Sequence, residues 1–220
     1  MCGRYGQTKT DKEKIKKAFR LKNIDFDLVP RYNITPGQDV PVVLNASPDE
    51  LTLVRWGLVP SWAKDEKIGY KMNNARSETI FEKPSFRHSI RKKRCLILAD
   101  CFYEWQKTEG AKQPYCIRLK SHETFAFAGI WDIWDKGGKP LHTCSVVTCG
   151  PNTVMSPIHD RMPVIFSKKD DAQKWLSDCG EDAVRALLRP HEPAGMEAYK
   201  IATLVNSPSN QGEEIIAPVD

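Results

Sequence analysis

No run of apolar residues in this sequence approaches the roughly 20 that a helix needs to cross a bilayer. The longest, around residues 95–99 and 145–148, are far shorter, which excludes a helical membrane span. A basic-then-apolar leader is also lacking, so the expected address is the cytoplasm, beside the nucleoid in a bacterium, or the nucleus in a eukaryote. The seven cysteines include neither a CxxC pair nor a paired Cys/His spacing, and their number is odd. That argues against both a zinc site and a disulfide framework, and no metal or cofactor is expected. No Gly/Ser-rich linker, composition shift or repeat divides the 220 residues, so one domain spanning 1–220 is expected. Charge of one sign is not in large excess: the formal net charge is +5. That balance suits a polyanionic partner without requiring one.

What is present reads as short strands with a few helices. Thr10-Asp11-Lys12-Glu13 has the form of a capping box, and Ile15, Ala18 and Phe19 then recur at helical spacing, which predicts a helix over 11–21. Runs at 42–44 and 51–56 around a polar turn at 45–50 predict a hairpin. Runs at 115–119 and 124–128 around Lys120-Ser121-His122-Glu123 predict a second. Strands are expected at 142–148, 162–166 and 200–205. Helices are expected from Ser167 and Asp170 through Leu176, and over 181–188. Without regular βαβ alternation this pattern predicts an α+β fold with a largely antiparallel, strongly curved sheet and a few flanking helices. Lys83, Arg87, Arg91, Lys92, Lys93 and Arg94 have no acid among them, and read either as a solvated face or as a surface that tracks phosphates.

Chemistry concentrates at four places. The first is Cys2: small second residues lead to removal of Met1, which would leave Cys2 as a 1,2-aminothiol. An α-amine titrates near 7.7–8.0, about two and a half units below lysine, so roughly a tenth of it is neutral at pH 7. It attacks an aldehyde to give an imine, which the neighbouring thiol closes into a durable thiazolidine. Gly3 leaves room beside the adduct, and Arg4 is a candidate phosphate anchor. The second place pairs Trp56 and Trp62 with Asn74 and Arg76: the indoles as base-stacking or core residues, the amide and guanidinium as orienting and phosphate-binding groups or as ordinary turn residues. The third is Glu104, between Tyr103 and Trp105, where burial would raise its pKa and suit it to move protons near neutrality, an exposed edge-strand carboxylate being the alternative. The fourth is His159-Asp160-Arg161, an imidazole beside a carboxylate and a guanidinium.

Taken in order, Met1-Cys2-Gly3-Arg4-Tyr5, Arg31-Tyr32-Asn33-Ile34-Thr35-Pro36-Gly37, Trp56-Gly57-Leu58-Val59-Pro60-Ser61-Trp62, Asn74-Ala75-Arg76 with Glu78-Thr79, Phe102-Tyr103-Glu104-Trp105 and His159-Asp160-Arg161-Met162-Pro163-Val164-Ile165 resemble the SRAP family, the SOS-response-associated peptidases. The likeness runs from Cys2 to Asn206. It implies a pseudo-barrel with a basic groove, acting on single-stranded DNA and capturing abasic sites through a Cys2 thiazolidine. By the same likeness Met1 is removed autoproteolytically, and abasic-site lyase activity accompanies capture. Cys2, Asn74, Glu104 and His159 are the implied catalytic set; Gly3, Arg4, Arg76, Trp105, Arg161, Trp56 and Trp62 are the implied DNA contacts. The implied protein is a monomer whose partners are abasic single-stranded DNA and the replication or repair machinery, with no membrane. Two other readings are an N-terminal-nucleophile cysteine peptidase acting on proteins, and a reversible single-strand binding module. The chain departs from the family's pattern at Leu98 and Cys101, where proline and glycine are usual, and at Cys149-Gly150-Pro151-Asn152. Cys101 therefore puts a second thiol close to Glu104 in sequence.

Overall fold

A computed structural model describes residues 2–219. In chain order the elements are β1 (Tyr5–Gln7), α1 (Lys12–Phe19), β2 (Arg31–Ile34), β3 (Asp39–Leu44), β4 (Ser47–Trp56), β5 (Asn74–Arg76), α2 (Arg87–Lys92), β6 (Arg94–Ala99), β7 (Cys101–Thr108), β8 (Ala111–Leu119), β9 (Phe125–Trp134), β10 (Leu141–Cys149), β11 (Met162–Pro163), β12 (Ile165–Phe166), α3 (Lys169–Leu176), α4 (Glu181–Leu187) and β13 (Met196–Lys200). Among the described residues no helix is long and apolar enough to cross a membrane.

The strands form two sheets. In one, β4 pairs with β3, β3 with β6, β6 with β9 and β9 with β10, all antiparallel, and β10 returns to β4 in parallel, so the ring closes as a barrel. The other runs β13-β8-β7-β1-β2 and is antiparallel throughout. The expected α+β, largely antiparallel and curved architecture is the one observed. Every residue of β6 is buried, as is nearly every residue of β9, because both faces of these strands are covered. Hence their near-continuous apolar sequences.

Asp100 is the corner between β6 and β7, and so between barrel and outer sheet. Its buried carboxylate accepts the backbone N–H groups of Thr8 at 2.6 Å and Lys9 at 2.8 Å, which fixes the far end of β1. Tyr5 then turns its ring inward, edge-on to Trp56 at 5.2 Å and to Phe127 at 5.4 Å. Next to it Gly6 is obligatory, since a Cβ there would lie 2.6 Å from the Cys101 Sγ.

Several local expectations need correction. Asp11, not Thr10, caps α1, accepting the Lys14 N–H at 3.1 Å, and Arg20 in the left-handed region (φ 59°) ends the helix. The strands of the first hairpin are longer than expected and leave only Asn45 and Ala46 for the turn. The second expected hairpin does not exist: β8 joins β7 and β13, whereas β9 joins β6, β10 and β12. Lys120-Ser121-His122-Glu123 carries the chain from one sheet to the other. A turn signal reports a change of direction, and the partner is chosen by the surface each strand can bury. Ser167 does not cap α3; its Oγ lies 2.8 Å from His191 Nε2, and Lys168 occupies the cap position. The strand expected at 200–205 lies at Met196–Lys200 instead, followed by a 3-10 turn at Thr203–Asn206.

Half of the basic stretch, Arg91, Lys93 and Arg94, is structural, Lys83, Arg87 and Lys92 stay exposed, and part of the stretch is the unanticipated helix α2. Arg94 is buried and donates to four carbonyls, those of Trp175 (2.7 Å), Ile90 (3.0 Å), Arg91 (2.9 Å) and Ser177 (2.5 Å). Lys93 pairs with Asp132 at 2.6 Å and Arg91 with Glu181 at 3.0 Å. Arg94 therefore ties α2 and the end of α3 to the barrel wall and does not face solvent phosphates. Arg94→Ala strands those carbonyls in a dry site and should lower stability by about 3 kcal/mol in urea unfolding, with Arg94→Lys recovering only part of the loss.

Candidate active site

The antiparallel pairing of β1 with β7 sets Tyr5 opposite Phe102, and the Tyr103 N–H donates to the Arg4 carbonyl at 3.0 Å. Continued toward the start of the chain, that direction carries Cys2 to Glu104 and Trp105. From the barrel side, β5 lies parallel to β10 with Asn74 opposite Val146. The Trp56 indole N–H holds the Asn73 carbonyl at 2.8 Å, which fixes the approach to β5. Asn74 Nδ2 then donates to the Cys2 carbonyl at 2.7 Å. Its Oδ1 is buried and has no hydrogen-bond partner among the described residues.

His159 arrives on the loop after β10. Asn152 Oδ1 accepts from the backbone of Val154 at 3.1 Å and Met155 at 3.0 Å, and the His159 N–H bonds the Met155 carbonyl at 2.9 Å. Gln106 on β7 donates to Pro157 O at 2.9 Å and pins the loop to the sheet. His159 Nε2 consequently stands 3.9 Å from Glu104 Oε2. Above these groups opens a pocket of about 410 Å³ lined by Glu104, Trp105, Lys107, Lys112, His159 and Asn206.

The Cys2 side chain is fully buried and does not line this pocket. Burial, reinforced by the Glu104 carboxylate, pushes its thiol well above the ordinary range and keeps it protonated. Glu104 is only 3% exposed. Burial raises its pKa, with His159 opposing the shift. The expected loss of Met1 lies outside the described residues.

The structure brings Cys2, Asn74, Glu104 and His159 together, and sorts the remaining candidates by what already holds them. Gly3 continues the chain from Cys2. Arg4 is tied inward to Asn33 Oδ1 at 2.7 Å and Val205 O at 2.5 Å. Arg161 makes a two-pronged pair with Glu78 at 2.6 and 2.9 Å and also donates to Thr148 O. Arg76 is exposed and has no ion pair among the described residues. Trp105 lies at the pocket with its N–H on Asn206 Oδ1 at 2.7 Å. Trp56 is wholly buried and offers no face to a base, which corrects its reading as a stacking residue. Trp62 is 54% exposed but does not line this pocket. Cys101 does not line it either: its thiol faces Gly6 and the Tyr103 hydroxyl, with Cys116 and burial raising its pKa.

Lys107, Lys112 and Asn206 were missed. An exposed lysine on a hairpin carries no sequence signal for facing a pocket, and Asn206 reaches it only because the 3-10 turn folds back over β7.

The family model of the SOS response associated peptidase (SRAP) matches residues 1–208. The abasic site processing protein YoqW of Bacillus subtilis (strain 168) is 44% identical over 223 residues, which cover 98% of this chain and 99% of that protein. YoaM of the same organism, also named an abasic site processing protein, is 48% identical over 192 residues, 85% of this chain and 84% of that one. HMCES of Gallus gallus, likewise an abasic site processing protein, is 36% identical over 225 residues, 87% of this chain and 67% of that protein. A solved structure of a protein from Bacteroides thetaiotaomicron superposes with a TM-score of 0.88 over the full length of both chains at 29% identity.

The raised pKa of Glu104 fixes the sign of a stability effect. A carboxyl whose folded pKa is raised stabilises the fold below its ordinary value of 4.5, and that contribution is lost as pH rises through the folded pKa. Glu104→Gln removes the titration. The variant should therefore gain stability on wild type as pH rises from 4 to 8, read as a widening difference between their urea midpoints.

Proposed function

Because the chain belongs to the SOS response associated peptidase (SRAP) family, we propose that it processes abasic sites in single-stranded DNA by covalent capture at Cys2. The observation that carries this reading is that Cys2, Asn74, Glu104 and His159, from four separate parts of the chain, are linked one to the next: Asn74 holds the Cys2 carbonyl, the Glu104 carboxylate acts on the Cys2 thiol, and His159 stands 3.9 Å from Glu104. Once Met1 is released, the Cys2 amine attacks C1′ of the ring-opened sugar, and loss of water leaves an imine. The thiol sulfur then adds to the imine carbon while its proton passes to the nitrogen, closing the thiazolidine. A thiol kept protonated by burial supplies that proton itself.

Asn74 orients the Cys2 backbone through its amide N–H, and its unpaired Oδ1 is available to the freed amine. Glu104, with its raised pKa, removes and returns protons at the amine and sugar oxygen. Arg76 is the arginine most available to a phosphate, since Arg4 and Arg161 are already engaged. Lys107 and Lys112 add positive charge at the rim, and the half-buried Trp105 offers an indole to an adjacent base.

The test is to mix protein verified by intact mass to lack Met1 with a single-stranded oligonucleotide carrying one abasic site. A heat-stable, slower band should appear on a denaturing gel. Cys2→Ala should abolish it, while its remaining α-amine still gives a borohydride-trappable imine; Glu104→Gln should slow capture by roughly 100-fold. No heat-stable band with the Met1-free protein would overturn the proposal. Loss of Met1 from purified precursor without an added aminopeptidase separates self-processing from external trimming.

A further inference from the structure

A second cavity, of about 800 Å³, lies between α1 and α3, bordered by the residues that join β8 to β9. Its floor is apolar: Ile15, Phe19, Phe166 and Ala172 line it and are themselves buried. Its walls are basic. Lys14 and Lys17 stand on α1, Lys168 and Lys169 at the start of α3, and Lys9 where β1 runs into α1. Against these five stand Asp11 and Glu123, which leaves three positive charges in excess. Asp11 is moreover taken up by α1 itself, as the cap that accepts the Lys14 N–H at 3.1 Å. Lys17, Lys168 and Lys169 have no ion pair among the described residues.

The groove is preformed. Arg20 pairs with Asp170 at 3.1 Å and Gln173 Nε2 donates to the Phe19 carbonyl at 3.1 Å, so the end of α1 is clipped to α3 and the spacing of the two helices is set without a ligand. We propose that this groove docks an acidic peptide segment of a partner protein, its carboxylates on the lysine walls and one apolar side chain on the floor.

Charge complementarity selects the occupant, and the form of the groove narrows it. A single strand of nucleic acid would match the charge, but it is held by exposed aromatic faces on which bases stack, and Phe19 and Phe166 are only 3% and 4% exposed beneath the rim. A small anion is held by a few converging polar groups in a mostly enclosed pocket. Here the cationic groups are exposed lysines spread along both walls. A peptide distributes its carboxylates along that length, and ammonium groups pair with them as point charges without a fixed fork geometry. The groove begins at Thr8, at the opposite end of β1 from Cys2, so a seated partner leaves the pocket at Glu104 and His159 open. Docking here is independent of the abasic-site reading.

The experiment follows the amide spectrum of the full chain as a nonapeptide of aspartate and glutamate with one central phenylalanine is added. Shifts should centre on residues 8–19, 121–124 and 166–172 and saturate with a Kd below about 1 mM. Raising salt from about 50 to about 300 mM should weaken binding about fivefold. Replacing the peptide's phenylalanine by serine should weaken it about tenfold. A chain carrying Lys17→Glu, Lys168→Glu and Lys169→Glu should bind about tenfold more weakly or worse, its own amide spectrum showing that it is folded. No shift at about 1 mM peptide, shifts scattered over lysines elsewhere such as Lys64 and Lys71, or equal binding by the serine peptide overturns the proposal. So does an oligothymidylate of the same length that shifts the groove residues more strongly than the peptide, since the groove would then be a nucleic-acid track.

Discussion

Residues 2–9 are hung between two anchors, and the site exists because both hold. At one end the Asp100 carboxylate gathers the backbone N–H groups of Thr8 and Lys9; at the other the Asn74 amide holds the Cys2 carbonyl. A chain terminus normally frays, since ordering a backbone residue costs about 1–2 kcal/mol and a terminal residue has few contacts to offset it. Here β1 lies between β7 and β2, with Tyr5 packed onto Trp56 and Phe127. Asp100 joins the sheet that carries Glu104 to the barrel, and Asn74 reaches Cys2 from the barrel wall. The relative placement of the reacting groups is thus set by the junction between barrel and sheet.

That junction is also dry, which shapes the electrostatics. Burial raises the pKa of both the Cys2 thiol and the Glu104 carboxyl, and the Glu104 carboxylate further raises that of the thiol. A low dielectric makes a second anion beside Glu104 costly. The positive groups are the exposed ones instead: Lys107 and Lys112 at the pocket, Arg76 at the end of β5. A neutral interior under a cationic edge suits a ligand whose phosphates stay in solvent while one uncharged group enters.

The candidate set was nominated from the sequence for a specific reason. Cys2 stood out by position, Glu104 by its aromatic neighbours and His159 by the charges beside it, and each is a local signal that survives folding. Trp56 stayed open between two readings because an indole beside a polar loop looks the same whether it stacks on a base or fills the core; its burial, with its N–H on the Asn73 carbonyl, decides for the core. Arg94 looked like part of a basic face, yet it is the most deeply buried of that stretch. Strand partners were less legible still. The run at 124–128 reads as a strand, but nothing local says that it lies against β6 across the barrel rather than against its neighbour β8. Asn206 and the two rim lysines needed the tertiary fold to become visible at all.

The buried thiol bears on why the proposed capture would begin at an amine and not at sulfur. A free cysteine nucleophile needs its thiolate, and reactive cysteines sit where positive charge lowers the pKa. Cys2 has the opposite surroundings, in an apolar core and facing a carboxyl, so direct attack by sulfur is disfavoured. The α-amine carries no such penalty from needing negative charge, because its reactive form is neutral and burial favours that form. The same environment that suppresses the sulfur as first nucleophile favours the nitrogen, and it leaves the thiol protonated for the second step. In the proposed reaction the order of bond formation, amine first and sulfur second, follows from burial alone.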